Sequence, residues 1–220
     1  MIMFAEISGL LFLIIIVNLL IAGQKYGYET FSELDVDAKL QKVNEDPVKF
    51  RTGIKLIIIE HAIIITLAMA LFIAFSSYNL LLGVIWVFAR ATEGLMQINN
   101  KLNFLDLSTV AEHYPDSTGL EKEAMSNVAL SLLRSKNSTF TRAQLLFSIG
   151  TFAYSITFVL YGIVPLLLGW FGIAASIIYG LGTGIYIVKD SKALWNLGGF
   201  LIFIFELILG GWLLFYSIIP

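Results

Sequence analysis

Residues 86–100 read Trp-Val-Phe-Ala-Arg-Ala-Thr-Glu-Gly-Leu-Met-Gln-Ile-Asn-Asn, an apolar helical pattern that carries Arg90, Glu93, Gln97 and Asn100. These four polar residues are three or four positions apart, so they share one face of an α-helix. The segment is long and apolar enough to cross a bilayer, which would place Arg90 and Glu93 at membrane depth. A charged side chain there costs at least ~2.5–3.5 kcal/mol on insertion scales. The rest of the chain must therefore supply partners for these charges.

The composition also predicts a membrane protein. The 220 residues are 58% hydrophobic and 14% charged, with a mean hydropathy of +0.84, whereas soluble domains carry about 25% charged residues. A net charge of -2 gives no reason to expect a nucleic-acid partner. Without cysteine, disulfides, thiolate chemistry and cysteine metal sites are excluded. His61 and His113 are too few for a multi-histidine zinc site unless carboxylates complete it, so we expect no metal and no cofactor.

Six apolar segments predict an all-α integral membrane bundle of six transmembrane helices, forming a single domain over residues 1–220. The spans are expected at about residues 3–23, 50–76, 80–100, 143–164, 166–188 and 195–216. No basic residue precedes the first apolar run and no small-residue cleavage pattern follows it, so we expect a retained helix rather than a removed signal peptide. Short surface helices are expected in the charged connections, near residues 31–43, 103–113 and 120–134.

Basic residues predict how the chain is oriented in the plasma membrane. All 14 lysines and arginines except Arg90 lie in or beside three connections, which follow the first, third and fifth spans. Because short cytoplasmic loops are rich in lysine and arginine, these connections are expected in the cytoplasm and both termini outside. The sequon Asn137-Ser-Thr would then be cytoplasmic, so we expect it to carry no glycan.

Spans two, three and six each place ionisable side chains near the same depth: Glu60 with His61, Arg90 with Glu93, and Glu206. An arginine fork binds a carboxylate in bidentate fashion, so we expect Arg90 to pair across helices with Glu60 or Glu206. Glu93 lies on the face of Arg90 and can share the guanidinium. One cation among three carboxylates predicts either a charged His61 or a protonated carboxyl group.

Two interpretations of these residues remain open. The functional one is a polar cavity that binds a small polar or anionic ligand or relays protons, lined by Arg90, Glu93, Glu60, His61, Glu206 and Gln97. The structural one is a satisfied buried network that fixes helix register. The excess of carboxylates and the stripe through Gln97 and Asn100 favour the functional interpretation. His61 alone is more typical of a hydrogen-bonded bundle histidine than of a ligand.

Small residues recur in the last three predicted spans. Gly180 and Gly184 form a G-x-x-x-G spacing, which permits close approach of two helices. We expect this spacing to serve packing within the bundle rather than dimerisation.

Three local patterns resemble those of a known family. Residues 46–53, Asp-Pro-Val-Lys-Phe-Arg-Thr-Gly, resemble its Pro-x-x-Phe-Arg-x-Gly pattern, and residues 88–93, Phe-Ala-Arg-Ala-Thr-Glu, resemble its Phe-Arg-x-x-Glu pattern with one residue inserted. Residues 165–172, Pro-Leu-Leu-Leu-Gly-Trp-Phe-Gly, resemble Pro-x-x-Leu-Gly-x-x-Gly. The sequence is thus similar to a prokaryotic group of polytopic membrane proteins catalogued only as a domain of unknown function. The resemblance implies the membrane fold, supplies no reaction, and draws attention to Arg51, Arg90 and Glu93.

The chain departs from this family in its charges. Family members usually carry basic residues before the first span and in the turns after the second and fourth, and arginine is common where Leu166 follows Pro165. This sequence has no basic residue at those places, so its own charges are used for the orientation given above.

The sequence favours a small transporter or ligand-binding membrane protein that uses the charged cluster, with proton-coupled exchange as one mechanism. The alternative is a non-catalytic scaffold or accessory subunit whose buried ion pairs are structural and whose segment 120–134 engages a protein partner. An enzyme is less favoured and no catalytic residue is assigned, because no Ser–His–Asp order, paired-histidine motif or Gly-rich phosphate loop is evident. A hydrolase would need Glu60 and His61 to act on a water.

Overall fold

The structure is a computed structural model that describes residues 2–216, and these residues fold almost entirely into helices. No strand is present among them. One 3-10 turn, Tyr114–Asp116, accompanies eight α-helices: α1 Ile2–Gln24, α2 Val36–Glu45, α3 Pro47–Phe75, α4 Leu80–Phe104, α5 Asp106–His113, α6 Gly119–Leu160, α7 Leu166–Lys189 and α8 Ala193–Leu214.

Six of these helices, α1, α3, α4, α6, α7 and α8, are each long and apolar enough to cross a membrane. Helices satisfy their own backbone hydrogen bonds, which is what a spanning segment requires in hydrocarbon. The protein is therefore an all-α, multi-pass membrane protein, as the sequence predicted. The short helices α2 and α5 lie in the charged connections.

The fourth span differs from its prediction. The sequence predicted a short surface helix at 120–134 and a separate span at 143–164, whereas α6 runs without a break for 42 residues. Residues 120–149 contain neither proline nor glycine, so nothing local interrupts the helix. The helix ends at Leu160, just before Gly162, which has a φ of +61°. At ~1.5 Å per residue, α6 is roughly 63 Å long, about twice the hydrocarbon thickness of a bilayer.

Packing divides the described chain into two compact units. The first unit comprises the residues up to Ile16, Ala62–Leu95, and the residues from Thr141 onward. The second comprises Val17–His61 and Met96–Phe140. The single domain expected over residues 1–220 stays a prediction.

The first unit has an aromatic core. Trp86, Phe75, Phe158 and Phe205 are among its fully buried side chains. The rings of Phe75 and Phe158 meet edge to face with centroids 5.3 Å apart, an arrangement that adds to the free energy of burial. Side chains of this core line the space beside Arg90 of α4.

Glycines allow the helices of the first unit to approach each other closely. A Cβ atom built on Gly198 of α8 would lie 2.5 Å from the Cα of Tyr179 in α7, and one built on Gly9 would lie 2.2 Å from the backbone nitrogen of Leu214. Within the G-x-x-x-G pair, a Cβ on Gly180 would lie 3.2 Å from the Cβ of Ser148, whereas one on Gly184 would meet nothing within 4 Å. Gly180 thus serves packing inside the unit.

We predict that Gly198→Ala destabilises the protein by about 1–3 kcal/mol, because the added methyl group would overlap the backbone of α7. The matched control is Gly211→Ala on the same helix, where a Cβ has nothing within 4 Å and alanine favours the helix by up to ~1 kcal/mol. Thermal unfolding of both variants in detergent checks this. Equal midpoints for the two variants would contradict the close approach of α7 and α8.

In the second unit, α6 fastens the connection that follows α1. The backbone N–H of Ser32 donates to Oδ1 of Asn137 at 3.0 Å, and Nδ2 of Asn137 donates to the carbonyl of Ser32 at 2.7 Å. Asn137 is buried, so the nitrogen to which a glycan would attach is already engaged in the folded chain. The sequon therefore has a structural use.

Glu29 anchors the same connection to α2. Its two carboxylate oxygens accept hydrogen bonds from Lys39 at 2.7 Å and Lys42 at 2.9 Å. Burial raises the pKa of Glu29, but the hydrogen bonds and charges of the two lysines outweigh burial and hold the pKa below its ordinary value.

A carboxyl group whose pKa is lower in the folded state than in the unfolded state stabilises the fold above its unfolded pKa, about 4.3 for glutamate. This contribution disappears as the pH falls through the folded pKa. We therefore predict that the thermal unfolding midpoint of the wild-type protein exceeds that of the Glu29→Gln variant at neutral pH. The difference between the two midpoints should disappear once the pH falls below about 4. Midpoints measured against pH check this, with exposed Glu45→Gln as control. A gap that persisted at the lowest pH would count against the ion pairs.

Candidate functional site

Arg90 lies inside the first unit, with 5% of its surface exposed. Its Nη1 lies 3.0 Å from Oε2 of Glu93, one turn further along α4, and Glu93 is also buried. The i,i+3 spacing brings the two side chains together. Within residues 2–216, this intrahelical pair takes the place of the cross-helix pair that the sequence predicted for Arg90.

α6 shapes the seat of the Arg90 side chain. A Cβ atom built on Gly150 would lie 2.6 Å from Cγ and 2.8 Å from Cδ of Arg90, so a larger residue there would force the alkyl stem to move. The guanidinium carbon lies 4.1 Å from the ring centroid of Phe147, one turn earlier on α6. This distance is that of a cation–π contact, which is strongest where water is excluded.

Glu206 of α8 is the third predicted residue in this unit. It is half-buried and close enough to Arg90 and Glu93 to interact with both electrostatically, although it is not within ion-pair distance. The first unit thus brings together one guanidinium and two carboxyl groups from two helices.

The other three predicted residues, Glu60, His61 and Gln97, are buried in the second unit. Nδ1 of His61 donates to the carbonyl of Ile57 at 2.7 Å, because a carbonyl oxygen can only accept. Oε1 of Gln97 accepts from Nδ2 of Asn100 at 3.4 Å and from Nζ of Lys101 at 3.2 Å. The six predicted residues thus comprise three members of the first unit and three of the second, and a common cluster of all six stays a prediction.

The space beside Arg90 is narrow. It has no room for a water molecule, and most of the side chains that line it are apolar. The lining residues, all in the first unit, are Phe12, Leu67, Ala68, Leu71, Trp86, Arg90 and Tyr154. Nε1 of Trp86, which lines this space, and Oγ of Ser155, elsewhere in the same unit, are buried without a hydrogen-bond partner in the described chain. Buried polar atoms usually have partners, so these atoms could satisfy a polar group that enters the unit.

Sequence reasoning missed several residues that shape this site. Phe147 and Gly150 hold Arg90, and the Tyr179 hydroxyl donates to Oε1 of Gln144 at 2.9 Å inside the same unit. The spacing of Gln144, Phe147 and Gly150 on one face of α6 was the available signal. In the described residues, no group of three or more histidine, aspartate or glutamate side chains could hold a metal ion.

The sequence model of one protein family, described as Domain of unknown function (DUF4386), matches residues 7–216. The chain belongs to this family. The match confirms the resemblance carried by the three local patterns, and with six apolar helices it makes the protein a multi-pass membrane member of the DUF4386 family. No curated protein and no solved structure matches the chain.

We predict that Glu93→Gln destabilises this DUF4386 protein by about 3 kcal/mol, because it leaves the Arg90 guanidinium buried without its ion-pair partner. Replacing both residues, as Arg90→Met with Glu93→Gln, should restore most of the loss. Unfolding free energies of the two single variants and the double variant in detergent give the coupling directly. Additive effects in this cycle would mean that the pair contributes nothing to folding.

Proposed function

We propose that the protein binds or transports a small polar or anionic solute in exchange for protons, using Arg90, Glu93 and Glu206. The observation that carries the proposal is the charge balance of this cluster: one guanidinium faces two carboxyl groups inside an apolar unit. A second negative charge is costly there, so a proton or a bound cation is the natural way to complete the balance.

The roles follow from the geometry. Glu93 holds Arg90 in the resting arrangement, and Glu206 is the nearby carboxyl group that can exchange a proton without breaking the ion pair. Protonation of Glu93 would release the guanidinium, whose planar fork then binds a carboxylate or phosphate group of a solute in bidentate fashion. Because the space beside Arg90 admits no water, solute entry requires the side chain to leave its seat on Phe147 and Gly150.

The proposed setting is the plasma membrane, with the basic connections in the cytoplasm and both termini outside. The distribution of lysine and arginine supports this orientation. A transporter in this orientation would move protons and solute across the membrane between the cytoplasm and the outside medium.

The test is proton flux coupled to an added anionic solute, inorganic phosphate, in proteoliposomes, reported by trapped pyranine while a potassium diffusion potential is held with valinomycin. We expect Glu206→Gln and Arg90→Ala to lower the flux about tenfold or more, the equivalent of ~1.4 kcal/mol in the rate-limiting barrier. Glu6→Gln, which removes a carboxylate from α1, is the control and should leave the flux unchanged. Size-exclusion profiles in detergent establish that each variant is folded.

A second candidate is the non-catalytic scaffold or accessory subunit. The observation that favours it is the exposed start of α6, where Leu120 is 85% exposed and Val128 is also exposed, so the proposed protein partner would contact residues 120–134. Since Ala129 and Leu133 of that segment are buried in the core of the second unit, the contact surface is limited to its outer face. Wild-type flux in folded Arg90→Ala and Glu206→Gln proteoliposomes would reject the transport proposal and favour this one.

A further inference from the structure

Two lysines are fully buried in the second unit. Lys101, near the end of α4, is 0% exposed, and Lys136 of α6 is 1% exposed. Lysine is almost never fully buried unless an opposite charge pairs with it. Neither ammonium group has a carboxylate within ion-pair distance in the described part of the chain.

The two ammonium groups have few acceptors. Nζ of Lys136 donates to the backbone carbonyl of Glu29 and to Oγ of Ser32 at 2.8 Å. For Nζ of Lys101, the acceptor within hydrogen-bond distance is Oε1 of Gln97, at 3.2 Å. An ammonium group carries three N–H donors, so Lys101 retains two that no residue from 2 to 216 accepts.

The charges around these lysines do not balance. Both oxygens of Glu29 are already bound to Lys39 and Lys42, and Glu60 acts on Lys101 from beyond ion-pair distance. Lys101 and Lys39 both repel the charge of Lys136. The side chain of Lys42 is 60% exposed, and Lys39 is paired with Glu29, so the uncompensated charge in the buried region is that of Lys101 and Lys136.

An unsatisfied donor lies in the same place. Gln97 is 0% exposed, and its Nε2 has no hydrogen-bond partner among the described residues. The other end of the amide accepts from both Asn100 and Lys101, so this orientation of the amide is the one its neighbours favour. The Gln97 N–H groups and the spare donors of Lys101 therefore lie one helical turn apart on α4.

Aromatic rings and a small cavity complete the surroundings. The Tyr28 ring centroid is 5.8 Å from Nζ of Lys101 and 5.4 Å from Nζ of Lys136, so both ammonium groups flank one ring. Tyr28 also lines a cavity of about 20 Å³ together with Glu29, Ser32, Lys39 and Phe104, but Lys101, Lys136 and Gln97 do not line it.

We propose that Lys101, Lys136 and the Nε2 of Gln97 form a binding site for one small monovalent anion of the size of chloride or formate. Such an anion supplies the missing acceptor to Lys101 and Gln97 and neutralises part of the charge excess. The site belongs to the second unit and its argument does not depend on the Arg90–Glu93 pair. Because Lys101 and Gln97 are fully buried, the site favours a compact anion over large ones such as gluconate.

The test is the thermal unfolding midpoint of the purified protein in detergent, titrated with sodium chloride, sodium formate or sodium gluconate at constant sodium concentration. We expect a saturable rise of the midpoint with chloride or formate and no rise with gluconate. A response to chloride alone assigns an inorganic halide site, and a response to formate alone assigns a carboxylate site. Equal behaviour in all three salts overturns the proposal.

Two variants and a control connect the response to the site. Gln97→Glu places a fixed carboxylate beside Lys101, so the fold should be kept while the apparent anion affinity falls at least tenfold. Lys101→Gln should weaken the affinity by a similar factor, and Gln97→Glu keeps the test decisive if this second variant does not fold. Lys122→Gln removes the same charge from an exposed position and should respond as wild type does. An unchanged anion response in Gln97→Glu would overturn the assignment.

Discussion

A guanidinium inside an apolar helix bundle is the constraint on which the first unit depends. A buried charge persists only where neighbouring groups compensate it. Residues of three helices stabilise this guanidinium. Glu93 of α4 forms the ion pair, and α6 contributes the ring of Phe147 and the space left by Gly150. Glu206 of α8 interacts with the guanidinium electrostatically. A change in any one of these helices alters the free energy of the same buried charge.

The two units solve opposite problems of charge balance. In the first, carboxyl groups outnumber the cation, so the natural additional ligand is a proton or another positive charge. In the second, the buried ammonium groups of Lys101 and Lys136 have no carboxylate within ion-pair distance among the described residues, and the natural additional ligand is an anion. Both follow from one rule: buried charge persists only where the surroundings or a bound species compensate it. Neither imbalance could arise from surface residues, since water would screen them.

Much of the fold could be predicted from the sequence, because long apolar runs identify spanning helices without any tertiary information. The burial of Arg90 and the shared face of Arg90 and Glu93 followed from position and helical period alone. The partners on α6 did not, since packing between distant segments decides which face of α6 meets Arg90. Lys101 and Lys136 were counted as cytoplasmic loop charges, and both are buried. Hydropathy scores a polar residue in the same way whether water or a protein interior surrounds it. For the same reason, the polar residues at the start of α6 were predicted to form a separate surface helix rather than the first part of the span.

Some glycines of the described chain touch a neighbouring helix and others face open space. At Gly9, Gly150 and Gly198 a single extra carbon would overlap neighbouring atoms, whereas at Gly184 and Gly211 it would enter open space. Descendants of this sequence should therefore keep the first three through long divergence, while the latter two drift freely to alanine, serine or larger residues. A comparison across lineages would then outline the helix contacts of the fold without any coordinates.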